Sequence, residues 1–174
     1  MARATWEQAD AKIVVQSLQA ISDGAWPLVI AGDVGAGKSC LAALLLSLVP
    51  DRSARMLDCS TLLGHVMEAR TSPSGATSMP LLDGGSVDRT ESQILRWIDQ
   101  MSLLVLDDVG VRALTEPQSE ALLRIVNLRH GKPLIVTTNC TALQLPDMVG
   151  HRINSRLREG AGFRIESPDR RLVR

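Results

Sequence analysis

Gly32-Asp-Val-Gly-Ala-Gly-Lys-Ser39 is the stretch that decides how this 174-residue chain folds. It satisfies the pattern G-x-x-x-x-G-K-[ST], and its flanks are the ones the pattern requires. Pro27-Leu-Val-Ile-Ala31 before it reads as a short apolar strand from Leu28 to Ala31. Ser39 to Val49 after it is rich in Leu and Ala and reads as a helix. Glycines at 32, 35 and 37 let the backbone curl until successive N–H groups converge on one anion. The helix that follows aims the positive end of its dipole at the same point. Gly32, Val34, Gly35, Ala36, Gly37, Lys38, Ser39 and Cys40 form the candidate nucleotide cradle. Lys38, expected to be partly exposed, would reach the outer phosphates of ATP, and the Ser39 hydroxyl would hold Mg²⁺.

Working outward, the length fits one domain, here residues 1–174, with a sizeable core. The 19 Lys and Arg balance the 19 Asp and Glu, so a generic polyanion binder is excluded and any nucleic-acid contact must come from a local patch. Positive charge gathers late, at arginines 152, 156, 158, 164, 170, 171 and 174. Cys40, Cys59 and Cys140 are scattered and odd in number, which argues for reduced thiols and against a disulfide framework or a zinc site. No signal peptide opens the chain, and the apolar run from Cys40 to Val49 is too short to span a bilayer. These features predict a cytoplasmic protein without a membrane partner.

A first helix is predicted from about Ala4 to Ile21, with capping-box spacing at Thr5 and Gln8 and an apolar stripe from Trp6 and Ala9 to Leu18 and Ile21. Arg55 to Cys59 is a second strand and Thr61 to Arg70 a helix. Thr71 to Arg89, rich in Ser, Gly, Pro and Thr, reads as a long flexible loop. Thr90 and Gln93 cap a helix ending near Met101, and Leu103 to Asp108 is a buried strand. Thr115, Pro117 and Gln118 open another helix, which Gly131-Lys-Pro ends. Leu134 to Thr138 is a fourth strand, Val149 to Arg158 a short helix and Gly162 to Glu166 the last strand. Strands alternating with helices predict a parallel sheet covered on both faces.

Three further features carry chemistry. Leu103-Leu-Val-Leu-Asp-Asp108 is a continuous apolar strand ending in two acids, and ligands gather at the carboxyl ends of parallel strands. Asp107 would hold the metal through its water shell, and Asp108 would polarise an attacking water. Asn139 follows the fourth strand, where an amide can orient that water near the terminal phosphate. Arg152 and Arg156 lie one helical turn apart, and either can serve a neighbouring subunit's phosphate as an arginine finger.

Taken in this order, the four features resemble the AAA+ ATPases. Leu-Leu-Val-Leu-Asp-Asp-Val-Gly110, Arg129 before Lys132-Pro-Leu-Ile-Val-Thr-Thr-Asn139, and Ser155-Arg-Leu-Arg-Glu-Gly160 resemble more narrowly the DnaC/IstB branch of helicase loaders and transposition helper ATPases. The resemblance implies a three-layer αβα fold with a five-stranded parallel sheet in the order 5-1-4-3-2. It implies Asn139 as sensor one, Arg156 as the finger, and Arg170 or Arg171 near a sensor-two position. Residues 61–101 correspond to the family's helical insertion, which lines the single-stranded DNA path in loaders and initiators and here would expose His65, Glu68 and Arg70. The expected form is a minimal core that begins at the ATPase domain and lacks a helical lid. The implied activity is hydrolysis of ATP with Mg²⁺ in a homo-oligomer that loads a replicative helicase, or alternatively serves a transposase. A small-molecule kinase would share the phosphate loop without needing Thr-Thr-Asn139 or Ser-Arg-Leu157, and a non-catalytic scaffold would not need Lys38, Asp107 and Asp108 together.

Overall fold

The computed structural model describes residues 11–81 and 84–166. Its centre is a five-stranded, wholly parallel sheet made of β1 (Leu28–Gly32), β2 (Arg55–Asp58), β5 (Leu104–Asp107), β6 (Leu134–Thr138) and β7 (Ala161–Ile165). These lie side by side in the order β2-β5-β6-β1-β7. Counted along the chain as the first to fifth strands of this sheet, the order is 5-1-4-3-2, as expected. The register sets Leu106 opposite Val136 and Ala31 opposite Thr138, so the strands finish at nearly the same level.

Both faces of the sheet are buried, which is why its central strands read as unbroken apolar runs rather than alternating ones. Successive side chains still point to opposite faces. Leu28, Ile30, Val105 and Ile135 pack on one side with Leu41, Ala42 and Leu45 of α2 (Lys38–Ser47) and Ile13 and Ala20 of α1 (Ala11–Ser22). Leu104, Leu106, Leu134 and Val136 pack on the other. There they meet Leu62 and Val66 of α3 (Cys59–Thr71), Ile94 and Ile98 of α4 (Glu91–Asp99), Leu122 and Ile125 of α5 (Glu116–Leu128) and Ile153 of α7 (His151–Leu157). The proposed start of the first helix at Ala4, with Thr5, Trp6, Gln8 and Ala9, lies outside the described residues.

Two expectations are corrected. The segment 71–89 is not a structureless loop: it carries an antiparallel hairpin of β3 (Ala76–Pro80) and β4 (Ser86–Thr90). Its Ser- and Gly-rich composition hides a period-two pattern in which Thr77 and Met79 turn inward. Only packing against α3 reveals which small polar residue belongs inside. Thr77 donates to the Glu68 carboxylate at 2.5 Å, and His65 Nδ1 lies 3.3 Å from the same hydroxyl. His65, expected to be exposed, is thus half-buried against the hairpin, while Glu68 is exposed as expected although its carboxylate takes this bond. The helix expected over 149–158 is α7 preceded by a separate short turn, α6 (Leu145–Val149), because Gly150 at φ 97 interrupts them.

Two arginines outside the insertion, Arg129 and Arg124, tie it to the rest of the domain. Arg129, only 1% exposed, donates to the carbonyls of Met101 at 2.7 Å and Pro133 at 2.6 Å, with longer bonds to Ile98 and Asp99. It thereby satisfies carbonyls left over where α4 ends and where β6 begins. Arg70, at the end of α3, forms a two-pronged pair with Glu91 of α4 at 2.8 and 2.7 Å, and Arg124 of α5 reaches the same carboxylate at 2.6 Å. Arg70, also predicted to be exposed, is thus paired.

The hydrogen bonds from Arg70, aided by the charges of Arg70 and Arg124, hold the Glu91 carboxyl below its ordinary range. A depressed carboxyl contributes stability that is complete above its unfolded-state value and is lost as pH falls through the folded value. Glu91→Gln is therefore expected to lower the melting temperature at pH 7, with the gap from wild type closing as pH is taken below about 4, the ordinary glutamate range. Thermal unfolding followed by circular dichroism between pH 3 and pH 7, at fixed salt, checks this; a gap that does not narrow contradicts it.

Candidate functional site

β1 leaves the middle of the sheet and its crossover runs to the far edge at β2, while the chain after β6 crosses to the opposite side of β1 to make β7. The direction of winding therefore reverses between β1 and β6, and a crevice opens there at the carboxyl ends of the strands. The loop after β1 lies on one side of that crevice. Asn139, one residue beyond the Ala31–Thr138 pair, lies on the other.

Within the loop, Gly35 and Gly37 take φ values of 78 and 98, a region that side-chain-bearing residues rarely enter. Gly37 is the N-cap of α2 and brings no side-chain acceptor, so the helix's first N–H groups are left to face the loop. The Lys38 ammonium donates to the Asp33 carbonyl at 2.8 Å, folding back over the loop's own backbone. Lys38 is only 5% exposed, against the expectation that it would be partly open. Its four-carbon stem is buried by the loop and the helix start, and the charged end keeps a partner. Arg164 of β7 braces the loop from outside through a 3.0 Å pair with Asp33. The sequence counted Arg164 only among the late positive charges, because strand pairing alone brings residue 164 to residue 33.

The acids meet this loop directly. Ser39 Oγ donates to Asp107 Oδ1 at 2.9 Å across 68 residues of chain. Thr137 Oγ1 donates to the same oxygen at 2.5 Å. Asp108 lies past the strand end in the left-handed region at φ 58, with its N–H donating to Thr137 Oγ1 at 2.9 Å. Aspartate is one of the few residues that tolerate this backbone, and outliers of this kind concentrate at working sites. A serine hydroxyl beside a carboxylate is a hard oxygen pair suited to Mg²⁺. Among the described residues no group of three His, Cys, Asp or Glu side chains could hold a metal ion.

The structure thus brings Gly32 to Ser39, Asp107, Asp108 and Asn139 to one crevice. Arg152 and Arg156 are exposed on α7, and Arg156 pairs with Glu159 at 2.8 Å rather than with the loop. Arg170 and Arg171 lie outside the described residues. Gly160 of the Arg-Glu-Gly motif has a local reason: a Cβ there would sit 2.2 Å from the Pro27 carbonyl, so only glycine lets β7 dock beside β1. No helix among the described residues is long and apolar enough to cross a membrane.

No protein-family model matches the chain. Among solved structures it resembles AMPPCP-bound DnaA from Aquifex aeolicus, with a TM-score of 0.72 and 20% identity over 95% of this chain and 51% of that one. It also resembles the DnaC helicase loader, with a TM-score of 0.68 and 19% identity over 91% of this chain and 92% of that one. The fold is AAA+. A DnaA structure holding both AMPPCP and single-stranded DNA shares this AAA+ fold at a TM-score of 0.70 and 20% identity, over 90% of this chain and 45% of that one. In sequence, the chain is 31% identical over 119 residues to an insertion-sequence protein of Mycobacterium tuberculosis named for ATP binding. That match takes in 67% of this chain but only 42% of the relative's length.

The thiols report on this crevice. Cys40, beside Ser39 in the first turn of α2, is exposed, whereas Cys59 and Cys140 are buried. Burial pushes the Cys59 thiol up to about 12, and Cys140 Sγ donates to the Gly110 carbonyl at 3.2 Å. Since only a thiolate reacts readily, native protein at pH 8 is expected to take up one equivalent of iodoacetamide at Cys40 and three after denaturation. Mg²⁺ with AMPPCP is expected to slow the native labelling. Peptide mass spectrometry reads both; fast labelling of Cys59 or no effect of the nucleotide contradicts the assignment.

Proposed function

We propose that the protein binds Mg·ATP at residues 32–39 and hydrolyses it. The observation that carries this reading is the Ser39–Asp107 hydrogen bond, which joins the phosphate loop to the acid-tipped strand. Lys38 exchanges the Asp33 carbonyl for the outer phosphates when they arrive. Ser39 and Asp107 would hold the cation, which would supply neutralising charge to the phosphates. Asp108 accepts a proton from the attacking water, and Asn139 orients that water from the next strand. Arg156 of an adjacent subunit steadies the developing charge on the phosphate, so the working species is an oligomer.

For the biological role we infer a DnaC-like helicase loader, supported by the likeness in fold to the DnaC loader along nearly its whole chain. A transposition helper of the IstB type is the second reading, supported by the sequence match to the insertion-sequence protein. Comparing ATP turnover with purified replicative helicase and with the cognate transposase separates the two. Contact with single-stranded DNA through the insertion has modest support: Trp97, the one aromatic residue in 61–101, is covered by the Arg89 guanidinium 5.1 Å from its centroid.

Lys38→Ala is expected to abolish binding of fluorescent ATP. Asp108→Asn is expected to keep that binding and lose turnover by about 10²–10⁴-fold, the worth of a general base. Asparagine tolerates the left-handed backbone as well as aspartate does, so the change removes charge alone. Wild-type turnover in Asp108→Asn contradicts the role given to that acid.

A second outcome concerns the shared site. Lys38→Ala and Arg156→Ala, each inactive alone, are expected to regain turnover on mixing, since one composite site per mixed pair keeps both residues. Finger arginines are worth about 10³–10⁵ in rate, so recovery stands well clear of background. Turnover per chain that does not change with protein concentration, and no recovery on mixing, contradict the oligomeric reading.

A further inference from the structure

Thr137 lies in the middle strand of the sheet, wholly buried, and its hydroxyl both donates and accepts. A threonine hydroxyl offers one hydrogen and two lone pairs, and a carboxylate can only accept. The hydrogen must therefore go to Asp107 Oδ1, at 2.5 Å, which leaves the oxygen to accept the Asp108 N–H at 2.9 Å. The Thr137 carbonyl takes the next N–H as well, from Val109 at 2.9 Å. One residue thus holds the side chain of the first acid and the backbone on both sides of the second. Thr138 adds to this through its own hydroxyl, which donates to the Val109 carbonyl at 2.6 Å.

We propose that Thr137 is a positioning residue for the reaction, setting the Asp107 carboxylate for the divalent cation and the Asp108 backbone for its left-handed turn. The inference rests on the reading of the site as one for Mg·ATP. Ser39 donates to the same Oδ1, but its hydroxyl is the group that the cation recruits. Thr137 is set back from the loop and keeps its hold whether or not the cation is there. Oδ1 stays anchored, which leaves Oδ2 as the oxygen that can swing toward the metal's water shell. A strand residue that only filled space would need neither hydrogen bond. Valine fills the same volume with the same branching, so it separates packing from positioning.

The test compares Thr137→Val and Thr137→Ser with wild type by three measurements: fluorescent ADP affinity in EDTA, Mn²⁺ affinity with AMPPCP by electron paramagnetic resonance, and steady-state ATP turnover. Thr137→Val is expected to keep metal-free nucleotide affinity within about twofold. It is expected to weaken Mn²⁺ binding and lower kcat by roughly 10–100-fold each, the usual cost of losing a group that orients a metal ligand. Thr137→Ser is expected to restore both to within about threefold. If the valine variant does not fold, Thr137→Cys, a poorer donor of similar size, carries the same expected losses. Wild-type Mn²⁺ affinity and kcat in a folded valine or cysteine variant overturn the proposal, as does a serine variant as impaired as valine. Wild-type protein that binds Mn²⁺ with AMPPCP but never hydrolyses ATP removes the hydrolysis reading alone, and the Mn²⁺ comparison then decides on Thr137. Wild-type protein that binds no nucleotide overturns both.

Discussion

Asp107 Oδ1 accepts two hydroxyl hydrogens at once, one from Ser39 at the start of α2 and one from Thr137 in β6. Three segments far apart in sequence meet on that single oxygen, and its position depends on the sheet beneath it. β5 lies beside β6, and β6 beside β1, with registers that end the strands level. A slip of one residue would turn every side chain of a strand to the opposite face. Asp107 would then leave the crevice, and Leu106 would turn from the layer of α3 and α5 to that of α2. The buried faces and the site are therefore held by the same constraint.

That constraint also explains where the cost of the site falls. Asp108 adopts a backbone that few residues accept, and the Gly35 and Gly37 turns offer no apolar surface to the core. The surrounding layers compensate. Leu28, Ile30, Leu104, Val105, Leu106, Ile135 and Val136 are essentially excluded from water. Burying such side chains contributes about 1.5–3 kcal/mol each. A stiff sheet can hold a strained turn at its rim.

The insertion is joined to this frame by the apolar packing of α3 and α4 on the sheet, and charge reinforces the join. Arg129 reaches back from the end of α5 to the carbonyls that close α4, and Glu91 gathers Arg70 and Arg124 from two different helices. The hairpin then rests on α3 through Thr77 and Met79. The insertion is thus attached to the face opposite α2 and leaves the mouth of the crevice to the phosphate loop, Asp108 and Asn139.

The amino-acid sequence by itself determined the phosphate loop and the acid-tipped strand, because each rests on local chemistry, whereas the strand order 5-1-4-3-2 was implied only by the family resemblance. Glycines permit the curl, a Leu-Val-Leu run must be buried, and Thr90 with Gln93 caps a helix wherever it sits. The hairpin at 76–90 was not legible, since Ser, Thr and Gly write a weak alternation that acquires meaning only against α3. Nor was the burial of Lys38, the bracing of Asp33 by Arg164, or the hold of Thr137 on both acids. Those depend on distances between residues 29 to 131 positions apart, or on a loop closing over its own lysine. Spacing along the chain can say that an acid ends a strand. Only the register of neighbouring strands decides which hydroxyl stands beside it.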